Sequence, residues 1–317
     1  MFDFRTDMAD ERRDIFRTAN KLEDEVPGIK VEEYDKGKDI KVFKVNIVEE
    51  QGAKAIGKPI GTYVTIDIKN LKIASDEEIA RASDIITTEL KQLLDKHIKP
   101  NDCILVVGLG NVYVTPDSLG PKVVSEIDIT RHLLHYVPHA LSKDTRPVSA
   151  IAPGVLGTTG IETLEIVKGV VENVKPKAII VIDSLASKSI GRISSTVQIA
   201  DTGIVPGAGV GNKRSELSMD TLGIPVIAIG VPMVVEAATI ISDGLDIFAT
   251  KIKDGLERDT SSGLYELVEK LKGEDKYEMI RDVLVPENYN LIVTPKEVDD
   301  LIENMKDVVA RGINYAL

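Results

Sequence analysis

The sequence predicts an α/β fold: three layers, with a mostly parallel central sheet between helices, plus a small β-rich extension at the amino terminus. Two observations support this prediction. From residue 102 onward, short apolar runs rich in Ile and Val alternate with helical segments, an order typical of a doubly wound parallel sheet. Between Gly28 and Leu71, β-branched residues instead alternate or cluster with a period of two, which is typical of antiparallel strands.

Two helices are predicted on either side of this β unit. Residues 8–25 are polar and helix-prone. Ser75 and Glu78 have the spacing of a capping box, and the amphipathic run after them predicts a long helix that ends near His97.

In the rest of the chain, strands are assigned to short apolar runs and helices to stretches with a helical period. Strands are predicted at 102–108, 147–151, 178–182, 193–199 and 225–230. Helices are predicted at 121–135, 160–174, 233–250 and 295–314, with a mobile polar stretch at 251–275. We therefore expect an N-terminal helix and β-rich subdomain at 8–100, an α/β catalytic core at 101–250 and a C-terminal helical segment at 251–317.

Composition excludes several classes of protein. The formal net charge of −12 repels phosphate backbones, so nucleic acid is not an expected direct partner. The one cysteine, Cys103, lies in an apolar run and has no internal disulfide partner, which indicates a buried residue in a reducing compartment. The amino terminus has no apolar core of signal-peptide length, and no apolar stretch elsewhere approaches the ~18 residues of a membrane helix. We expect a soluble cytoplasmic protein.

Two aspartates follow two of the predicted strands. Asp117 lies in the loop after the strand at 102–108, and Asp183 comes directly after the strand at 178–182. Either could simply cap a helix or a turn. If the strands are adjacent and parallel, however, both acids leave the sheet at the edge where such sheets bind ligands. Neighbouring carboxyl groups do not both ionise easily, so one serves as a general base and the other as a general acid.

Two glycine-rich stretches follow strands as well. Neither is a nucleotide motif: the first has Tyr113 in place of its third glycine, and the second has Asn212 directly before Lys213. Glycines let a backbone approach a neighbour or an extended peptide closely. The candidates for a substrate or oxyanion loop are Gly108, Gly110, Asn111, Gly207, Gly209 and Gly211. Glu236 is a weaker candidate acid, because it also suits the first turn of a helix.

Metal and cofactor sites are not predicted. His132, His135 and His139 are three and four residues apart, on and beyond one predicted helix, and are more typical of surface histidines than of a metal site. No HExxH, paired CxxC or GxSxG motif is present. A divalent metal held between Asp117 and Asp183 stays an open alternative.

Several segments resemble the spore germination proteases of endospore-forming bacteria. The resemblance runs from about Arg5 to about Asp243. It rests on VVGLGN at 106–111, VTPDSLGP at 114–121, RPVSA at 146–150, APGV at 152–155, TGIET at 159–163, IDSLAS at 182–187, DTG at 201–203, PGAGVGNKR at 206–214 and LGIPVIAIGVP at 222–232.

The resemblance implies an endopeptidase that initiates degradation of the small acid-soluble proteins protecting spore DNA during germination. It implies a self-processing zymogen, active as a homotetramer in the spore core, with Asp117 and Asp183 as its essential acids. It also implies a fold similar to that of the hydrogenase maturation endopeptidases, whose two corresponding acids bind a metal.

The amino terminus adds a second likeness. RTDMADE at 5–11 resembles both the self-processing site of these proteases and the acidic-apolar-Ala pattern cut in their substrates. We expect cleavage between Asp7 and Met8, which makes residues 1–7 a short propeptide.

Two other functions are compatible with the same residues. The chain could be a non-catalytic peptide-binding protein that uses its glycine-rich edge to hold an extended strand. It could also be a nickel-dependent endopeptidase of the hydrogenase-maturation type. Cleavage of a suitable peptide distinguishes an enzyme from a binder.

Overall fold

The computed structural model describes residues 6–69, 75–142, 145–208, 214–255, 280, 283 and 291–317, and it confirms the α/β fold class. The strands are β1 (Ile29–Asp35), β2 (Ile40–Ile47), β3 (Gly61–Ile68), β4 (Ile104–Gly108), β5 (Val148–Ile151), β6 (Ala178–Ser187), β7 (Thr196–Ala200), β8 (Val226–Glu236) and β9 (Ile292–Val293). The helices are α1 (Ala9–Ala19), α2 (Glu50–Ile56), α3 (Asp76–Leu94), α4 (Leu119–Ser125), α5 (Arg131–Tyr136), α6 (Leu156–Thr159), α7 (Thr163–Val174), α8 (Met219–Leu222), α9 (Ala237–Gly255) and α10 (Val298–Ala316).

One continuous sheet joins the strands of the described residues. Its order is β1-β2-β3-β7-β8-β6-β4-β5, with β9 paired to β8. The four strands β5, β4, β6 and β8 are parallel. The β-rich unit formed by β1, β2 and β3 joins them through antiparallel pairing of β3 with β7 and of β7 with β8.

The parallel strands are apolar on both sides because helices cover both faces of the sheet. Val106 and Ile180 pack into the large core, to which α3, α4 and α10 also contribute. Leu105 and Val181 point the other way and pack into a smaller core, to which α7 contributes. Asp183 follows Val181 by two residues, so strand alternation places it on the same face as the smaller core.

Three predicted helices have different boundaries in the structure. The helix predicted at 121–135 is two helices. In the segment between them, Asn314 of α10 bonds to the backbone of Glu126 and Asp128, and Thr130 bonds to the backbone of Arg146 and Val148. The helix predicted at 160–174 begins at Thr163, after Gly160 ends α6 with φ of +71°.

The third difference is at the end of β8. The helix predicted at 233–250 begins only at Ala237, because Val235 and Glu236 continue the strand and pair with β9. Within the predicted mobile stretch at 251–275, residues 251–255 end α9, and those from 256 on lie outside the described residues. No helix among the described residues has the length and apolar character needed to cross a membrane.

The carboxyl-terminal helix α10 packs directly on α3. At Gly312 the two helices are so close that an added Cβ would stand 2.5 Å from Cγ2 of Ile86. Gly169 in α7 is the opposite case, since nothing lies within 4 Å of its added Cβ. The same substitution therefore has opposite expected effects at the two positions.

We expect Gly312→Ala to lower the free energy of unfolding by about 1–2 kcal/mol, because the methyl group overpacks the α3–α10 contact. Gly169→Ala should raise it by about 0.5–1 kcal/mol, because alanine is the better residue in an exposed helix. Urea unfolding of both variants measures the two changes. A stabilised Gly312→Ala protein would contradict the close packing of α3 and α10.

Candidate active site

The loop after β4 holds Asp117 by close backbone contact. Gly110 has φ of +110°, and a Cβ at this position would lie 2.0 Å from the Asp117 carbonyl oxygen. The Asn111 N–H donates to that oxygen at 3.0 Å and to Asp117 Oδ2 at 2.8 Å. Asp117 ends a short 3-10 turn, Thr115–Asp117, and its side chain is half-buried. Only a residue without a side chain at position 110 permits this turn.

Two further glycines bring this turn close to β6. A Cβ at Gly108 would lie 2.1 Å from the Gly120 carbonyl oxygen, and a Cβ at Gly120 would lie 2.8 Å from the Ile182 carbonyl oxygen. The Leu109 N–H donates to that same Ile182 oxygen at 2.8 Å. The glycines thus hold the Asp117 turn against the residue that precedes Asp183.

Asp183 lies within β6 and is only 5% exposed. Its Oδ1 accepts a hydrogen bond from the Ser184 N–H at 2.9 Å. On the neighbouring strand β8, the residue directly opposite is Gly230, which has no side chain. A Cβ at position 230 would lie 2.3 Å from Cδ1 of Leu185, so the Leu185 side chain covers Gly230 next to Asp183.

The two predicted aspartates meet in one cavity of about 570 Å³. Gly110, Asn111 and Gly207 from the predicted glycine loops also line it. So does Arg214, which forms an ion pair with Glu162 at 3.8 Å across the cavity wall. The cavity thus combines two carboxyl groups with glycine backbone from two loops.

Both carboxyl groups have raised pKa values. Burial raises the pKa of Asp117 to about 6, against the opposing effect of the Asn111 N–H. Burial also raises the pKa of Asp183 well above its ordinary value, and the negative charges of Asp117 and Asp7 raise it further. Because Asp183 is the more deeply buried of the two and the Asp117 charge raises its pKa further, we expect Asp117 to be the first to ionise as pH rises.

The predicted cleavage site lies against β6, where Asp7 lines a second cavity together with Leu185 and Gln198. Thr6, Met8 and Ala9 are fully buried. Asp7 bonds twice to Ala186: its N–H donates to the Ala186 carbonyl oxygen, and its Oδ2 accepts from the Ala186 N–H, each at 2.9 Å. Asp7 is thus held against β6 by its own N–H and side chain, three residues along the strand from Asp183, and its negative charge acts on Asp183.

A cluster of buried charged residues anchors this segment from the far side. Glu11 accepts hydrogen bonds from the Thr6 hydroxyl and from the Lys188 N–H, the latter at 2.7 Å. Asp10 forms an ion pair with Arg192 at 2.6 Å. Burial raises the pKa of both acids, mainly because few water molecules reach them.

Gln198 in β7 is a site residue that the sequence did not reveal. Its Oε1 accepts from the Ala9 N–H at 2.8 Å, and its Nε2 donates to the Asp7 carbonyl oxygen at 3.3 Å. The available signal was a single polar amide in an otherwise apolar strand, TVQIA, where the residue is 7% exposed. Such an amide usually has hydrogen-bond partners when it is buried.

The other predicted residues lie elsewhere. Gly108 is inside β4, where its role is packing against Gly120, and Gly209 and Gly211 lie outside the described residues. Glu236 ends β8 and is buried, but it is not among the described residues that line the cavity. His132, His135 and His139 are exposed. Among the described residues, no three His, Cys, Asp or Glu side chains come together as a metal-binding group.

Comparison with known proteins shows strong likeness along the chain. A family model described as "Germination protease" matches residues 5–262 and 249–317. The germination protease of Caldanaerobacter subterraneus subsp. tengcongensis is 47% identical over 317 residues, covering 99% of this chain and 94% of the relative. Those of Clostridium acetobutylicum (45% identical; 99% and 94% covered) and Geobacillus sp. (44% identical; 100% and 94% covered) are similar.

Among solved structures, the [NiFe] hydrogenase maturation protease HycI from Thermococcus kodakarensis is 18% identical, with a TM-score of 0.30. The match covers 46% of this chain and 80% of that one.

The raised pKa of Asp183 makes a prediction about stability. Its pKa in the folded protein lies above the ordinary value of 3.8, so the unfolded chain ionises first as pH rises and the folded state loses stability. Asp183→Asn removes this loss and keeps an oxygen for the Ser184 N–H. We expect the thermal midpoint of Asp183→Asn to exceed that of the wild type by an amount that grows from about pH 4 to pH 7. A constant difference over this range would contradict the raised pKa.

Proposed function

This chain belongs to the germination protease family, and we propose that it is the endopeptidase that initiates degradation of the small acid-soluble, DNA-protecting spore proteins during germination. Membership of the family makes it a peptidase. The observation that carries the proposed mechanism is the pair of carboxyl groups, Asp117 and Asp183, which line one cavity and both have raised pKa values.

In this mechanism, the two acids divide the work according to their pKa values. An extended substrate peptide lies along the edge of the sheet with its scissile carbonyl between the two side chains. Asp117, which ionises first, takes a proton from the attacking water. Asp183, which keeps its proton, gives it to the leaving amine. The apparent pKa values belong to the coupled pair.

Backbone N–H groups of the glycine loops are the proposed stabilisers of the oxyanion. Gly110 and Gly207 line the cavity and stay candidates. The Asn111 N–H is bonded to Asp117, so its contribution is to hold the base in position rather than to bind substrate.

We also propose that the chain is a zymogen that cuts itself between Asp7 and Met8. The bonds of Asp7 to β6 and the hydrogen bond from Gln198 to the Asp7 carbonyl oxygen hold this bond next to the strand that carries Asp183, which supports the proposal. In this arrangement the amino-terminal segment occupies the position where a substrate would bind. Its removal would therefore open the site, and it would also show that the protein is active.

A metal-free reaction is the version we propose. Three carboxyl groups among the described residues line the cavity, and that of Glu162 is paired with Arg214. Asp117 and Asp183, without a histidine or cysteine beside them, make a weak donor set for a tightly held transition metal. Elemental analysis of the purified active protein tests this. We expect less than stoichiometric transition metal, and an equimolar amount that is needed for cleavage would overturn the metal-free version.

The finer properties implied by the family resemblance are proposals as well. They are action on small acid-soluble spore proteins, assembly as a homotetramer and location in the spore core. The relatives are germination proteases, and this name supports action on a protein substrate.

Conservative substitution of the two acids tests the proposed chemistry. Asp117→Asn and Asp183→Asn should both fold, and each should slow the loss of residues 1–7 and the digestion of a small acid-soluble spore protein by about 100-fold or more. Mass spectrometry follows both reactions. Asp220→Asn, a change in an exposed helix acid, is the matched control and should leave both rates unchanged.

Full activity of either substituted aspartate would remove the pair from the mechanism. If the wild-type protein binds the spore protein but leaves it whole, the chain is a binding protein instead.

A further inference from the structure

The carboxamide of Gln198 holds the backbone on both sides of Met8. Its Nε2 donates to the carbonyl oxygen of the Asp7–Met8 peptide unit at 3.3 Å, and its Oε1 accepts from the N–H of the following unit, at Ala9, at 2.8 Å. A glutamine side chain offers one such acceptor oxygen and an NH₂ donor group. Both ends of the buried side chain are therefore used on one short segment.

These two bonds involve no side chain of the segment that is held. A carboxamide that donates to one carbonyl and accepts from the next-but-one N–H imitates the peptide group of a neighbouring β-strand. Recognition of this kind depends on an extended backbone and not on the identity of the residues. It would hold a protein substrate in the same way as it holds residues 7–9.

The sheet places this side chain level with Asp183. Gln198 on β7 is directly opposite Gly230 on β8, and Gly230 is directly opposite Asp183 on β6. Residues that pair directly across a sheet point to the same face. Asp183 and Gln198 thus flank Gly230 on one face, about 10 Å apart between their Cα atoms at the usual strand spacing.

Gly230 keeps the space between these side chains free of a third side chain from β8. A Cβ at this position would lie 2.3 Å from Cδ1 of Leu185, and the next two nearest atoms also belong to Leu185. An apolar side chain therefore fills the gap between the carboxyl group and the carboxamide. For the held bond to reach Asp183, Leu185 has to rotate aside.

We propose that Gln198 positions the scissile peptide bond, with Nε2 on the carbonyl oxygen that becomes the oxyanion and Oε1 on the N–H two residues further along. The inference rests on the proposed self-cleavage between Asp7 and Met8. It extends that proposal to a residue of β7 that acts on both the chain's own segment and a substrate.

The reaction then balances as follows. A water oxygen bonds to the Asp7 carbonyl carbon and gives one proton to Asp117, while the carbonyl oxygen takes up negative charge. The Nε2 donor bond strengthens at this point, because its acceptor has become charged. Asp183 protonates the Met8 nitrogen as the carbon–nitrogen bond breaks, leaving a carboxyl group on residue 7 and an amine on residue 8.

Two substitutions in the full-length chain separate the two bonds. Gln198→Met keeps the length of the side chain and loses both, whereas Gln198→Glu keeps an acceptor for the Ala9 N–H and loses the amide donor. We expect each to slow the first-order loss of residues 1–7 by about 100-fold, the usual effect of removing one oxyanion donor. The matched control is Thr65→Val, since Thr65 lies opposite Gln198 on β3 and is 1% exposed.

A second readout separates positioning from a merely structural role. Each protein is incubated until mass spectrometry shows that residues 1–7 are gone, and is then given a synthetic peptide copying residues 4–11. We expect the Gln198 substitutions to lower kcat for this peptide while KM changes less than threefold. The thermal midpoint of Gln198→Glu should stay close to that of the wild type.

The outcomes distinguish this inference from the proposed function. If the wild type cuts itself and Gln198→Met does so within threefold of the same rate, the inference fails and the proposed function stands. The inference also fails if Thr65→Val slows cleavage as much as Gln198→Met does. If the wild type keeps residues 1–7 and leaves the peptide whole, the proposed function fails and takes the inference with it.

Discussion

The burial of the Asp183 carboxyl group next to Asp117 is the constraint on which the rest of the site depends. A carboxylate that is 5% exposed loses most of its hydration, and the adjacent acid adds like charge. The folded protein tolerates the pair because one member keeps its proton. In the proposed mechanism, that same division of protons provides a base and an acid for the hydrolysis of a peptide bond.

The surrounding backbone enforces this closeness. A Cβ would overlap the Asp117 carbonyl oxygen at Gly110, the Gly120 carbonyl oxygen of α4 at Gly108, and the Ile182 carbonyl oxygen of β6 at Gly120. Their function is the close approach of main chain to main chain, so that the Asp117 side chain reaches the strand that carries Asp183. The main structural role of the glycine loop after β4 is therefore to position the Asp117 side chain. The loop lies within the part of the sequence that resembles the germination proteases.

The parallel strands, and the position of the two aspartates at one edge of the sheet, were predictable from the sequence on physical grounds. Fully buried strands are continuous apolar runs, and side chains at their carboxyl ends meet at one edge. The position of Asp7 and the role of Gln198 were not predictable in this way. Asp7 bonds to a residue 179 positions away, and Ala9 bonds to Gln198, 189 positions away. Neither contact produces a periodic pattern in the sequence. The helix break near Thr130 was not predicted, because the Thr130 side chain bonds there to Arg146 and Val148, which lie outside the predicted helix.

The titration of the two carboxyl carbons, followed by ¹³C NMR in protein labelled at aspartate, tests the shared-proton pair most directly. Asp117→Asn and Asp183→Asn identify the two signals. We expect both carbons to titrate above the ordinary aspartate range, the Asp117 carbon near pH 6 and the Asp183 carbon after it. In Asp117→Asn, the pKa of Asp183 should fall. Two carbons that titrate independently near the ordinary aspartate value of about 3.9 would contradict the account.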